Sequence, residues 1–122
     1  MNETETAARR QPNSYGCFVC GLANPIGLKM VFYNEFNEDP QRNQVRAGLT
    51  VPETYRSYPG VVHGGIVATI LDETAGRAIM GEWTRAQVGE DPFFATAKME
   101  IRYRRPTPTN TPANFYIWVT TA

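Results

Sequence analysis

The chain has 122 residues, 42% of them apolar, and its twelve basic residues balance twelve acidic ones. That length makes one domain with a real core, and zero net charge argues against broad nucleic-acid binding, which relies on a basic surface. No stretch approaches the roughly 20 apolar residues of a membrane span, and the first ten residues hold no apolar run of a signal peptide. A cytoplasmic globule with neither nucleic-acid nor membrane partner is therefore expected.

Residues 1–14 are polar and read as a loose tail, followed by a single domain over 15–122. Cys17-Phe-Val-Cys20-Gly-Leu-Ala-Asn24-Pro-Ile-Gly27 is a succession of turns. A C-x-x-C pair is half a zinc site or a redox pair, yet His63 is the only other soft ligand and a tetrahedral site needs four. Packed structural cysteines are the reading favoured, and neither a metal nor a cofactor is assigned.

Leu28 to Phe36 is rich in β-branched and aromatic residues and predicts a first strand. A turn cluster, Asn37 to Asn43, leads to a second strand over Gln44 to Val51, where Val45, Ala47, Leu49 and Val51 alternate. Glu53 to Gly60 is a loop with room for one short helical turn. A long helix follows over residues 64–81, and Trp83 to Pro92 returns the chain. Phe94 to Arg105 is the clearest strand, with Ala95, Ala97, Met99, Ile101 and Tyr103 on one face and Thr96, Lys98, Glu100, Arg102 and Arg104 on the other. The prolines between 106 and 112 make a connection, and Ala113 to Thr121 alternates as a last strand. The order β-β-α-β-β predicts an α+β fold.

The helix carries the chemistry. It opens on His63-Gly64-Gly65, where the missing Cβ atoms let a ligand approach the backbone. The unpaired first amides of a helix suit an oxygen gaining negative charge. Farther along, Asp72 interrupts an otherwise oily segment, and buried carboxylates need a reason. Together these features point to acyl transfer. Gly65 and Asp72 are seven residues apart, or about 10 Å along a helix, whereas attack on a carbonyl needs donor and base within about 3–4 Å of the reacting atoms. One helix cannot serve one carbon with both, but two antiparallel copies can, and the small Ala68, Ala75 and Gly76 permit their approach. An obligate homodimer with composite sites is predicted.

His63-Gly64-Gly65, the carboxylate nine positions after the histidine, and Thr96-Ala-Lys-Met-Glu-Ile-Arg-Tyr-Arg-Arg-Pro106 resemble the signature of hotdog-fold acyl-CoA thioesterases, in the PaaI-like and 4-hydroxybenzoyl-CoA thioesterase branch. The opening Cys-x-x-Cys-Gly…Asn-Pro-x-Gly-Leu is similar to one subgroup. The resemblance spans roughly residues 17–120; His-Gly-Gly alone is a weak motif, and its combination with Asp72 and the later strand is a specific one. It implies an antiparallel sheet wrapped around one central helix, and, since members continue with about two more strands, a sheet lacking its last strands here.

The resemblance further implies hydrolysis of a medium-chain or aryl acyl-CoA by a homodimer, or a tetramer made as a dimer of dimers. The Gly65 amide would polarise the carbonyl, Asp72 would act as general base or nucleophile, His63 would orient the thioester or its own loop, and Thr96 would stand near the water or thiolate. Gly64, Asn24, Glu73, Arg102 and Arg104 are the substrate-binding candidates, the arginines through coenzyme A phosphates. Tyr55, Tyr58, Phe93 and Phe94 are candidates for the acyl pocket, with core packing as their alternative. Each site residue also has a plain structural reading: His63 as a cap, Asp72 paired with Arg77, the arginines as a solvated strand face. Two other functions stay open, a hotdog module that binds acyl-CoA without cleaving it and a zinc or redox module built on Cys17 and Cys20.

Overall fold

In the computed structural model, which describes residues 10–36, 38–39, 43–86 and 95–119, the β-rich run after Met30 forms strand β1, Val31–Glu35, and Gln44–Leu49 forms β2. They pair antiparallel with Val31 opposite Gly48 and Glu35 opposite Gln44. Ala113–Ile117 forms β3 on the other side of β2, with Ala47 opposite Phe115, giving a three-stranded sheet in the order β1-β2-β3. Alternation sets the faces: Phe32, Val45 and Ala47 are buried, whereas Asn114 and Tyr116 point to solvent.

Helix α1, Gly64–Ala86, crosses the buried face. Ile66, Ile70, Thr74 and Ala78 recur every four residues and form the stripe that meets the sheet; Ile70 and Thr74 are fully buried, and Val67 packs beside them. At roughly 1.5–3 kcal/mol per large apolar side chain removed from water, Phe32, Met30, Val45 and Ile70 dominate the cohesion of this layer. Thr74 satisfies its hydroxyl by donating to the Ile70 carbonyl one turn earlier, at 2.6 Å.

Three expectations need correction. The tail does not run to residue 14: the Gln11 amide donates to the Phe32 carbonyl, Arg10 bridges Tyr33, and the Asn13 side chain donates to the Cys20 and Met30 carbonyls. The backbone of Arg10 and Gln11 and the side chain of Asn13 thus supply hydrogen bonds that the backbone at the edge of β1 would otherwise lack. The helix passes residue 81 to end at Ala86, since Glu82, Arg85 and Ala86 are good helix formers and isolated interior glycines such as Gly76 and Gly81 are tolerable.

The strand expected over 94–105 joins no sheet in its described part, residues 95–105. A strand needs a neighbour to receive its ladder bonds, and this segment instead runs beside α1, touching it through Thr96 and Tyr103. Of its expected apolar face only Ile101 is half-buried; Ala95, Ala97, Met99 and Tyr103 are exposed. Among the described residues the observed order is thus β-β-α-β, with a short 3-10 turn at Glu53–Tyr55 inside the expected loop.

Candidate functional site

The loop before α1 is fixed by backbone bonds. The Val62 amide donates to the Thr107 carbonyl, the His63 amide to the Tyr55 carbonyl, and the His63 carbonyl in turn accepts from Ile66 and Val67. Glu53 reinforces this loop: its carboxylate accepts from the Gly60 amide at 3.0 Å and from the Thr109 hydroxyl. The Thr109 bond, then the Gly60 bond and nearby Arg56, hold the Glu53 carboxyl below its ordinary range against the opposing effect of desolvation. Gly60 itself sits at φ 79°, a conformation that favours glycine.

At the helix start the Gly65 amide donates to Nδ1 of His63 at 2.9 Å. An accepting Nδ1 means a neutral ring protonated on Nε2. His63 therefore acts as the N-cap of α1, and the amide expected to meet a substrate oxygen has an intramolecular partner here. The absent Cβ matters: one built on Gly65 would lie 3.1 Å from His63 Nδ1, pressing on the cap. The Tyr103 hydroxyl donates to the Gly64 carbonyl at 2.9 Å. An open groove of about 340 Å³ adjoins this end of the helix, with Tyr58, Gly64, Val67, Tyr103, Arg104 and Arg105 in its walls.

Asp72 lies two turns on, half-buried, on the side of α1 away from the sheet. Its carboxylate accepts a hydrogen bond from Thr96. A second hollow, of about 810 Å³, is lined by Asp72, Glu73, Gly76, Ile79, Thr96 and Lys98, among others. Two separately proposed site residues, Asp72 and Thr96, thus meet within one chain. Gly65 and Asp72 do not: they stand about 10 Å apart along the helix axis by residue rise, and Asp72 lines the second hollow whereas Gly64, beside Gly65, lines the first.

The remaining candidates divide. Glu73 pairs with Arg77, whose Nε stands 3.2 Å from its carboxylate, so the ion pair that the sequence offered to Asp72 goes to its neighbour. Arg104 lines the groove at the helix start, while Arg102 is exposed without lining it. Asn24 shapes its own turn, accepting from the Ile26 amide and donating to the Gly16 carbonyl. Tyr58 is exposed on the groove wall, whereas Tyr55 packs edge-on to Phe18 against the core. Phe93 and Phe94 lie outside the described residues. Sequence reasoning missed Tyr103 as a residue of the helix start, because alternation counted it only as one more apolar side chain; a hydroxyl placed on an otherwise aliphatic face was the available signal.

A family profile described as the thioesterase superfamily matches residues 59–121, just over half of the chain and all of the helix with its flanking loops. No curated protein and no solved structure matches. The superfamily's fold is the hotdog, with which the antiparallel sheet and the single long helix are compatible, and a thioester-hydrolase type of function is supported. The chain belongs to the thioesterase superfamily.

Proposed function

We propose that the chain is an acyl-CoA thioesterase of the PaaI-like branch, working as a homodimer whose two sites each combine Gly65 of one copy with Asp72 of the other. The observation that carries this reading is the Asp72–Thr96 hydrogen bond on the open face of α1. A carboxylate serving only to hold the fold would face the buried layer or pair with Arg77, and Asp72 does neither.

The reaction is a hydrolysis in which the acyl carbon gains an oxygen from water and loses the thiolate sulfur. The carbonyl oxygen takes the Gly65 amide in place of His63 Nδ1, so the histidine covers the donor until substrate arrives. A donor of this kind typically contributes about 3 kcal/mol of transition-state stabilisation. Asp72 of the second copy either accepts the proton of the attacking water, which is then available to the departing thiolate, or adds to the carbonyl itself and expels the thiolate to leave an anhydride that water hydrolyses in a second step. Thr96 donates to Asp72 and fixes the direction of its free lone pairs. Arg104, with Arg105, lies where a phosphate of the coenzyme could bind.

The test is turnover of a panel of aryl and medium-chain acyl-CoAs, followed by thiol release. Hydrolysis of at least one class, abolished by Asp72→Asn, is the expected result. Tight binding of acyl-CoA with no thiol released from any of them would replace the hydrolase with a binding module. Single-turnover reaction in ¹⁸O-labelled water then separates the two chemical routes, because only the nucleophilic one carries the label into the Asp72 carboxylate.

A further inference from the structure

One residue past Asp72, at Glu73, the first turns of the chain meet the helix at a cluster of thiols and charge. The Sγ atoms of Cys17 and Cys20 and a carboxylate oxygen of Glu73 all lie within 4.8 Å of one another. From this juxtaposition we propose a divalent-metal site of zinc type, ligated by Cys17, Cys20 and Glu73, that ties the N-terminal loop to α1.

The two sulfurs are held together before any ion arrives. The Gly21 amide closes the turn onto the Cys17 carbonyl at 2.8 Å. A Cβ at position 21 would stand 2.4 Å from both the Cys17 nitrogen and its oxygen, so this turn forms only with glycine after the second cysteine. The Leu28 and Met30 amides donate to the Phe18 and Val19 carbonyls, and Asn13 holds the Cys20 carbonyl, which pins the turn against the core. In a tetrahedral site with zinc–sulfur bonds near 2.3 Å the ligand atoms stand about 3.8 Å apart. Closing from at most 4.8 Å therefore asks for no more than a small rotation of Cys17 and Glu73, both only half-buried.

Charge also fits. Arg77 is buried; its Nε lies 3.2 Å from Glu73, and its Nη2 donates to Cys20 Sγ at 3.0 Å. With both thiols protonated, the guanidinium and the carboxylate cancel. An entering divalent ion that displaces the two thiol protons leaves two thiolates and two positive charges, so the sum is again zero. No unpaired charge is buried in either state. The Arg77 N–H on Cys20 orients that sulfur as a ligand, as hydrogen bonds to metal ligands do. Thiolates select zinc over magnesium or calcium. Three protein ligands leave one tetrahedral position to water or an exogenous group. The third protein ligand is a carboxylate from the helix, not His63, the soft ligand that sequence alone offered.

The full-length chain, reduced and freed of metal, is titrated with Co²⁺ and then with Zn²⁺. We expect a thiolate-to-cobalt charge-transfer band that saturates at about one ion per chain, bleaches on adding zinc, and is accompanied by release of about two protons per ion. Cys17→Ser should abolish the band. Glu73→Gln, which keeps both thiols and nearly the same shape, should weaken cobalt binding at least tenfold while the helical circular dichroism persists. Saturation below about half an ion per chain, a band unchanged in either variant, or a chain that forms a Cys17–Cys20 disulfide on mild oxidation and binds no cobalt when reduced would each overturn the site.

Discussion

The face of α1 that meets the sheet and the face that carries Asp72 differ in what surrounds them. Along the first, Ile70 and Thr74 are sealed and the Thr74 hydroxyl is answered by the Ile70 carbonyl. Along the second, Asp72 accepts from Thr96, Gly76 has nothing among the described residues within 4 Å of where a Cβ would sit, and Ile79 is exposed. The contrast teaches that one side of the helix is organised for cohesion and the other is left accessible. Damage to the two faces should therefore register in different measurements.

The sharpest separation comes from Asp72→Asn. Losing the proposed base or nucleophile should lower kcat by about 10²-fold or more with little change in the thermal midpoint; an unchanged rate would remove Asp72 from the mechanism. The opposite face should answer in stability instead. Ile70→Ala leaves a cavity in a sealed layer and should cost about 2–5 kcal/mol in denaturant unfolding, while the folded fraction keeps its turnover; a loss below ~1 kcal/mol would mean the layer is looser than it is drawn here.

Thr96→Val deletes the donor to Asp72 without changing shape. A hydrogen bond to a charged group is worth roughly 1.5–3 kcal/mol, so kcat should fall about tenfold or more, and a fall equal to that of Asp72→Asn would make Thr96 an equal partner and no longer an orienting one. The smallest effect belongs to Glu53. Because its folded-state carboxyl lies below the ordinary 4.5, its contribution is full above that pH and is lost as the pH drops through the lowered value. Thr109→Val removes the largest cause of the shift, so wild type and variant should differ in stability near neutrality and converge in acid. A gap that widens on acidification would reverse the assignment.

Local pattern made part of this legible and hid the rest for physical reasons. β1, β2 and the start of α1 follow from side-chain alternation, from Pro52 and from the His-Gly-Gly opening, all of which act within a few residues. The segment 95–105 carries the most regular alternation in the chain, and it still joins no sheet, because alternation records a suitable face and says nothing of whether a neighbouring strand is present. Asp72 was legible as an odd carboxylate and Thr96 only through family resemblance, and their hydrogen bond to each other was not legible. The Cys20–Arg77–Glu73 cluster was not legible at all: it joins a turn to a helix some fifty residues later, and nothing in either stretch names the other. His63 was legible as a special residue, but its role as the acceptor of the very amide assigned to substrate follows only from coordinates.

The central claim is that each reaction centre draws on two copies of the helix. Coexpressing Asp72→Asn with Gly65→Val, whose side chain would crowd His63, tests it directly. Each variant alone should be inactive. In a mixture of random homodimers half the pairs are mixed, and each of those rebuilds one intact centre from the good Gly65 of one copy and the good Asp72 of the other, so about a quarter of wild-type kcat should return. A mixture as inactive as its two components would place both groups' chemistry within a single chain and contradict the account.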